Sequence, residues 1–449
     1  MTVDEFNLLP IEDRNKLIAF HGKAKSACGG NSGFSGEILF LDNGDDVHPR
    51  YIAAKFPKFR QNRDFGEQAR RFVRELELQA SAHYHPNVHW PFSTKLILGV
   101  PVAYFRRWEG DLANYIEEPS LGDLGRICLV VQIIAGLAHC LKRGLTFQDL
   151  KPENVFVRDL RKSFRGLPDT DLWLRPLVAD FGSVNLAGEV GEFGGTRPYM
   201  APEQWNKMPL GEWTTVFSVG VMLHELMSRG QHPIGVHGGE WHRGQNPAFN
   251  RWQNDRYWKR WTSDGCPISS PIGDSELNNL IAECLKVDPQ QRPSLANVQG
   301  QLIAILTKRS LSAADQVQLF LDTAEEQTSS AEWTYLTSNL QSLRQAVEAE
   351  YPCLDLPACG VGPKMRQRLV SRQPLRNGPQ QKPTGTWPGI KGEARRAAPS
   401  LPPGGRFCGV SHPNFGGRGG TIRCLRRRLE RPPEGGRGPV VVPGAKESG

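Results

Sequence analysis

The sequence predicts an α+β protein whose strands come early in the chain and whose helices come later. Short apolar runs such as RYIAAKFPKF and PVAYFRRW occur before residue 110 and are typical of strands. Between residues 121 and 143, apolar side chains recur at helical spacing until Gly144 ends the pattern. The stretch TTVFSVGVMLHELMSRG predicts a second buried helix, with Thr214 or Thr215 as its cap.

The basic charge of the chain is confined to its C-terminal end. The 449 residues carry a net charge of +8, but residues 361–449 alone carry +14, which leaves the preceding part at −6. From about residue 359 the sequence is rich in Pro, Gly and Arg and has no periodicity, which predicts a disordered tail. Such a tail could make weak electrostatic contacts with acidic partners or nucleic acid, or could simply be solvated.

Composition also favours a cytoplasmic protein. The N-terminal MTVDEFNLLP begins acidic and does not fit a signal peptide. The longest apolar run, from Ile127 to Leu141, contains Gln132 and His139 and is too short to span a bilayer. Nine scattered cysteines without a C-x-x-C pair argue against a zinc ribbon and a disulfide framework, and they fit a reducing compartment.

Two segments carry the candidate chemistry. LTFQDLKPENVFV, residues 145–157, offers Asp149, Lys151 and Asn154, and the segment over 178–205 opens on Asp-Phe-Gly and closes on Ala-Pro-Glu. Phosphoryl transfer from a nucleotide needs a carboxylate for the proton of the attacking hydroxyl, a cation beside the transferring group, and oxygen ligands for a metal ion. In this order and spacing, the two segments resemble the catalytic and activation segments of eukaryotic-type (Hanks-type) serine/threonine protein kinases.

The resemblance implies a two-lobed kinase domain over residues 22–305, with a small β-rich N-lobe and a larger helical C-lobe. It implies ATP and Mg²⁺ as cofactors and Ser/Thr hydroxyls of proteins as acceptors, since DLKPEN is the Ser/Thr form of the motif. The predicted flanks are an N-terminal extension (1–21), a helical accessory segment (306–358) and the basic tail (359–449).

The resemblance also implies a role for each catalytic residue. Asp149 would orient and deprotonate the acceptor hydroxyl, and Lys151 would neutralise charge on the transferring phosphoryl group. Asn154 and Asp180 would bind Mg²⁺, which prefers oxygen ligands and phosphate contacts. Thr196, in GGTRPYMAPE, would help to shape the acceptor site.

The candidate nucleotide site lies earlier in the chain. Lys55, in IAAK, resembles the lysine that contacts the α- and β-phosphates, and a glutamate of the following helix should pair with it. Glu75 is the predicted partner and Glu77 is the alternative. Phe105 is expected near the back of the adenine pocket, with 106–108 as the hinge. The residues expected to cover the phosphates are Gly30, Gly33, Phe34 and Gly36.

Three departures from the family pattern concern activity. Phe147 and Gln148 stand where the family commonly has histidine and arginine, so activity is expected not to depend on activation-loop phosphorylation. Thr215 replaces an aspartate that braces the catalytic loop, and the glycines of the predicted phosphate loop are irregularly spaced. A pseudokinase or scaffold is therefore the alternative to an active kinase. The presence of every catalytic residue named above favours activity.

The remaining motifs have structural interpretations. Arg292, in Arg-Pro-Ser, is expected to form a buried ion pair with Glu203 of Ala-Pro-Glu. Residues 158–175 predict an exposed hairpin insertion. The interleaved Trp, Arg and Lys of residues 241–261 could bind single-stranded nucleic acid, but core anchors with a solvated face are favoured. Three histidines at five-residue spacing (232, 237 and 242) match no metal-binding pattern.

Overall fold

The computed structural model describes residues 3–32, 36–47, 49–58, 64–164, 166, 170–181, 184–186, 195–236, 255–326 and 331–352. They lie in the first of two compact units, Met1–Val361. The second unit, Gly362–Gly449, holds most of the predicted basic tail and lies outside the described residues.

The N-lobe is a five-stranded antiparallel sheet covered by one long helix. Its strands are β1 (Ser26–Ser32), β2 (Glu37–Asp42), β3 (Tyr51–Phe56), β4 (Pro91–Ile97) and β5 (Val100–Arg106), in the order β1-β2-β3-β5-β4. Helix α3 (Phe65–Ser81) begins at Asp64, whose carboxylate accepts a hydrogen bond from the Gly66 backbone at 2.9 Å. Phe72 and Leu76 of α3 are buried in the N-lobe core, which fixes the helix on the sheet.

The N-terminal extension completes this lobe. It forms α1 (Val3–Leu8) and α2 (Ile11–His21), with Pro10 preceding α2. Phe6 and Ile18 are buried in the N-lobe core, and the Tyr104 hydroxyl donates to the Ile18 carbonyl at 2.9 Å. The segment is therefore part of the N-lobe.

The C-lobe is mainly helical and has two small sheets. Its helices are α4 (Asp123–Leu141), α5 (Leu160–Ser163), α6 (Pro202–Trp205), α7 (Glu212–Met227), α8 (Asp255–Ser263), α9 (Ser275–Cys284) and α10 (Leu295–Arg309). Its strands are β6 (Gly110–Asp111), β7 (Leu145–Phe147), β8 (Val155–Asp159), β9 (Leu174–Val178) and β10 (Val184–Leu186), ordered β6-β8-β9 and β10-β7. The α+β, two-lobed fold predicted from the sequence is confirmed.

Helix α4 is the centre of the C-lobe. It begins before Ile127 and is the one helix of the described residues that is long and apolar enough to cross a membrane by length and composition, so the expectation that this stretch is too short was wrong. Most of its side chains, including Ile127 and Ile134, are buried among other C-lobe residues. Core helices meet the same criterion.

Residues 311–326 and 331–350 are helical, as predicted, and contribute to both lobes. Helix α11 (Leu311–Glu326) buries Ala313 and Val317 in the C-lobe core, whereas α12 (Ala331–Glu350) buries Leu336 and Leu340 in the N-lobe core. The predicted boundary at 305 falls inside α10, which continues to Arg309 because its apolar face stays buried through Leu306.

Two local predictions were wrong. The cap of α7 is Gly211, and Thr214 lies in the first turn, where its hydroxyl oxygen accepts a hydrogen bond from the Gly211 backbone at 3.3 Å. The stretch over 158–175 does join the antiparallel strands β8 and β9, as a hairpin should, but it is not exposed throughout, because Trp173 is buried.

The aromatic residues near α8 support the structural interpretation where they are described. Trp258 and Trp261 are buried in the C-lobe core, and both rings contact the ring of His232. The His232 Nε2 donates to the Pro198 carbonyl at 2.9 Å, so this histidine is a core residue. The other members of these predicted groups, Trp241, Trp252, His237 and His242, lie outside the described residues.

Candidate active site

The N-lobe contributes an ion pair between β3 and α3. The Lys55 ammonium lies 2.6 Å from a carboxylate oxygen of Glu75 and 3.8 Å from one of Asp180. Glu77, the alternative partner, instead lies 3.2 Å from Arg344 on α12. Register explains the placement of Lys55: it is opposite Ile38 on β2 and Ala103 on β5, in the middle of the sheet.

The charge of Lys55 is maintained by its two carboxylate neighbours. Burial alone would lower the pKa of the Lys55 ammonium, but the charges of Glu75 and Asp180 outweigh that effect and raise the pKa. A permanently charged lysine at this position can bind the phosphates of a nucleotide.

The catalytic loop holds Asp149 between two partners. One carboxylate oxygen of Asp149 accepts a hydrogen bond from the Thr196 backbone at 2.6 Å, and the other lies 3.2 Å from the Lys151 ammonium. Lys151 in turn donates to the Thr196 hydroxyl at 2.6 Å. The predicted acceptor-site residue Thr196 is thus bonded directly to both predicted catalytic residues.

Asn154 and Asp180, the predicted Mg²⁺ ligands, lie on segments that a backbone hydrogen bond joins. The Asn154 amide nitrogen donates to the Asp149 carbonyl at 2.8 Å. The amide oxygen is therefore the side-chain atom of Asn154 that could bind a metal ion. The Asn154 carbonyl accepts from the Ala179 backbone at 2.8 Å, which ties the loop to the residue before Asp180. No group of three His, Cys, Asp or Glu side chains capable of holding a metal occurs among the described residues. Two oxygen ligands supplemented by phosphates are the usual protein contribution to Mg²⁺ binding.

The backbone of Asp180 is in an unusual conformation. Its φ of 60° lies in the left-handed region, which few non-glycine residues occupy and which aspartate tolerates better than most. Such conformations concentrate at functional sites, where the surrounding structure holds them. The next side chain, Phe181, is buried with its ring 5.0 Å from that of Phe147, so Phe147 packs against the Asp-Phe-Gly segment.

The other departures from the family pattern have defined contacts. The Gln148 carbonyl accepts a hydrogen bond from the Gln204 amide at 2.8 Å, and the Gln204 side-chain oxygen accepts from the Ala201 backbone at 2.8 Å. The Thr215 hydroxyl lies 3.5 Å from the Phe147 carbonyl, at the long limit of a hydrogen bond. Gln204, which the sequence reasoning missed, links the catalytic loop to Ala-Pro-Glu; no sequence signal identified it.

The Ala-Pro-Glu segment is fixed by the expected buried ion pair. Two guanidinium nitrogens of Arg292 donate to the two carboxylate oxygens of Glu203, at 2.8 and 2.9 Å, and both side chains are almost completely buried. Arg292 also donates to the carbonyls of Lys286, Trp213 and Val287. A bidentate, fully satisfied pair of this type fixes the position of the segment before α7.

The glycine-rich stretch is described only at its ends. A Cβ on Gly30 would lie 2.7 Å from the Ile38 carbonyl oxygen, and one on Gly36 would lie 2.6 Å from that of Phe56. Close strand packing therefore requires glycine at both positions. Gly33 and Phe34 lie outside the described residues, so phosphate binding by this stretch stays a prediction.

His89 is a second residue that sequence reasoning missed. Its ring stacks on Phe105, with centroids 5.0 Å apart, and its Nε2 lies 3.2 Å from the Arg106 carbonyl at the predicted hinge. Burial lowers the pKa of His89 to about 4, so the ring is neutral at pH 7. It fixes the backbone where an adenine ring is expected.

Comparison with known proteins agrees with this geometry. The protein kinase domain family matches residues 48–302. The chain is 25% identical over 293 residues to the human serine/threonine-protein kinase/endoribonuclease IRE2, covering 62% of this chain and 27% of that protein. It is 28% identical over 200 residues to the serine/threonine-protein kinase PkaA of Streptomyces coelicolor (42% and 31%), and 27% identical over 184 residues to mouse serine/threonine-protein kinase Nek3 (40% and 30%).

A two-lobed fold with a Lys–Glu pair in the N-lobe and an Asp–Lys–Asn loop in the C-lobe defines a protein kinase domain. The family match covers more than half of the chain, and the chain belongs to the protein kinase domain family. Such domains in general use ATP with a divalent metal ion and act on proteins. The alignments span about a third or less of the relatives' own lengths.

Proposed function

We propose that this chain is an active serine/threonine protein kinase, which transfers the γ-phosphoryl group of ATP, with Mg²⁺, to hydroxyls of proteins. The arrangement of Asp149, Lys151 and Thr196 carries the proposal. The Asp149 carboxylate is held by the Thr196 backbone at 2.6 Å and by Lys151 at 3.2 Å. A carboxylate fixed in this way can orient an acceptor hydroxyl and take its proton.

The other residues of the site have complementary roles. Lys55, kept charged by Glu75, binds and orients the nucleotide phosphates, and Lys151 neutralises charge at the transferring group. Asn154 and Asp180 would hold Mg²⁺, which when bound neutralises phosphate charge. Specificity for Ser/Thr rests on Lys151 two residues after Asp149 and on the resemblance to serine/threonine kinases.

The alternative function is a scaffold that binds nucleotide or partners without efficient transfer. It rests on Gln148, Thr215 and the irregular glycine stretch. The unbroken contacts among Lys55, Glu75 and Asp180 support the active kinase, because a scaffold does not need this pair and its charge to be retained.

Cytoplasmic localisation is part of the proposal. The described cysteines, Cys28, Cys128, Cys140, Cys266 and Cys284, are free thiols, as expected in a reducing compartment.

Phosphate transfer from labelled ATP to a generic basic protein, with Mg²⁺, tests the proposal. Asp149→Ala should lower kcat about 10²–10⁴-fold, the usual contribution of a general base. Asp264→Ala is the matched control, because the Asp264 side chain is 58% exposed and its ion pair within the described residues is with Arg260, one turn away. Nucleotide binding without transfer in the unmutated chain would favour the scaffold.

A further inference from the structure

Helix α12 packs directly against α3, the helix that carries Glu75, and against β4. Its apolar face is almost fully buried in the N-lobe core. The residues of that face are Trp333, Leu336, Leu340, Leu343 and Val347. This face covers α3 with side chains from the far end of the described chain.

Polar contacts fix the register of α12 along its length. Near its middle, the Asn339 side-chain oxygen accepts hydrogen bonds from the backbone and the hydroxyl of Thr94, both at 2.6 Å. At its C-terminal end, Arg70 of α3 donates to the Tyr351 carbonyl at 3.0 Å, and the Tyr351 hydroxyl donates to the Gly99 carbonyl at 2.9 Å. These bonds join α12 to the helix and to the sheet.

The first turn of α3 also contacts Tyr351. The Tyr351 ring packs edge-on against Phe65, with centroids 5.8 Å apart. A Cβ on Gly66 would lie 3.0 Å from the Tyr351 Cβ. Gly66 is therefore small enough to let the two segments meet, and any larger residue there would push them apart.

Helix α3 is consequently held from two sides. Residues two apart on a helix are about 200° apart around its axis. Glu75 faces Lys55 of the sheet, and Glu77, two residues later, contacts Arg344 of α12 at 3.2 Å. The sheet and α12 therefore contact α3 on opposite sides.

The helix before α12 is anchored elsewhere. Ala313, Ala314 and Val317 of α11 are buried in the C-lobe core, against α4 and α10. Helix α12 thus packs on α3 in the N-lobe, whereas α11 is fixed in the C-lobe. Position of α3 is the usual point of control in kinases, because the Lys–Glu pair forms only when the helix is in place.

We propose that α12 is a built-in positioning element that holds α3, and hence Glu75, against Lys55. Tyr351 and Asn339 are its positioning residues. The inference rests on the proposed kinase function for its kinetic consequence. The proposal also fits the sequence of the activation segment. Residues 183–195 contain one hydroxyl-bearing side chain, Ser183, and the residue immediately before Asp149 is not an arginine.

The test compares Tyr351→Ala and Asn339→Ala with Tyr335→Ala in the full chain. Tyr335 is on the same helix and is 57% exposed, so its removal should not move α3. Loss of positioning should lower kcat/KM for ATP about tenfold in the first two variants, within the range found for coupling through packed elements. Tyr351→Phe keeps the ring contact and should recover most of the loss.

A double-mutant cycle with Glu75→Gln separates positioning from general destabilisation. If α12 acts through the Lys55–Glu75 pair, Asn339→Ala should have little further effect on kcat/KM once Glu75 is replaced. If Asn339→Ala lowers kcat/KM as strongly in the Glu75→Gln background as in the unmutated chain, the proposal is overturned. Unchanged kcat/KM in both Tyr351→Ala and Asn339→Ala would also overturn it. Thermal melting of each variant verifies folding, and Gly66→Val provides an independent perturbation from the α3 side.

The same double-mutant cycle can be measured through nucleotide binding instead of catalysis. If the unmutated chain transfers no phosphate, the proposed function fails, and the affinity for a nonhydrolysable ATP analogue with Mg²⁺ replaces kcat/KM. Asn339→Ala should weaken binding of the analogue in the unmutated background and have no further effect in the Glu75→Gln background. That result would still support positioning. Equal affinities of Asn339→Ala and Tyr335→Ala would overturn it.

Discussion

Two ion pairs, Arg292–Glu203 in the C-lobe and Lys55–Glu75 in the N-lobe, differ in how many of their hydrogen-bond donors are used. Arg292–Glu203 is bidentate, has side-chain exposures of 0% and 1%, and receives additional bonds to backbone carbonyls. Lys55–Glu75 is a single contact at 2.6 Å with exposures of 17% and 12%. All the N–H groups of Arg292 are already used in hydrogen bonds. The Lys55 ammonium can still donate hydrogen bonds to a phosphate.

The difference separates anchoring from binding. A buried pair with every donor used holds the Ala-Pro-Glu segment in one position, and breaking it leaves an uncompensated charge. A partly exposed pair on two different elements can respond to ligand and to the position of α3. The same chemical pairing therefore serves as a fixed anchor in the C-lobe and as an adjustable contact in the N-lobe.

The largest expected effect is on the anchor. Arg292→Met leaves the Glu203 carboxylate buried without its partner and should lower the free energy of unfolding by about 3–5 kcal/mol. Chemical denaturation monitored by tryptophan fluorescence measures it. Arg260→Met, which removes an arginine whose side chain is 84% exposed, is the control. Equal stabilities of the two variants would show that the buried pair does not anchor the C-lobe.

Breaking the N-lobe pair should affect catalysis more than stability. Glu75→Gln leaves Lys55 poorly positioned and should lower kcat/KM for ATP about 100-fold, as small misplacements at active sites do. Because Asp180 remains beside the Lys55 ammonium, the unfolding free energy should fall by less than in Arg292→Met. Glu77→Gln, on the same helix, should retain nearly full kcat/KM, because its pair with Arg344 is largely exposed. A comparable loss in both variants would contradict the assignment of Glu75.

The stability of the C-lobe around His232 should also decrease in acid. Burial lowers the pKa of His232 to about 3 although its bond to the Pro198 carbonyl opposes this shift. The unfolded chain binds a proton at this position near pH 6.5 and the folded chain does not, so folding is favoured above that pH and loses stability as pH falls. In the window between pH 6.5 and about 3 the loss from this residue is about 1.4 kcal/mol per pH unit. Denaturation at pH 7.0 and 5.0 should show a smaller pH effect in His232→Gln.

The smallest effect is expected in the activation segment. Ser183→Ala should leave kcat/KM within about twofold of the unmutated chain, because no arginine stands immediately before Asp149 to bind a phosphate on this segment. The contacts of Asp149 and Lys151 with Thr196 do not involve residue 183. Steady-state kinetics with mass spectrometry of the enzyme measures both activity and phosphorylation. A collapse of activity would indicate that the segment needs a phosphate.

Sequence reasoning located residues whose spacing is dictated by chemistry. Asp149, Lys151 and Asn154 are close in the chain, and Arg292 and Glu203 occur in short motifs, so their neighbours in space could be predicted. The packing partner of α12 could not be predicted, because helical periodicity shows that a face is buried but not against what. The contacts of Gln204 and His89 depend on tertiary approach, and Gly30 and Gly36 are required by the backbone of neighbouring strands.

The place of α12 in the N-lobe also has a consequence for the order of folding. The N-lobe core contains Phe6 near one end of the described chain and Val347 near the other. A ribosome releases the sheet and α3 long before it releases α12, so the lobe cannot complete its core while the C-lobe is being made. Contacts this distant in sequence are formed late and slowly. The last of the described helices to be made therefore also determines when the N-lobe first becomes rigid.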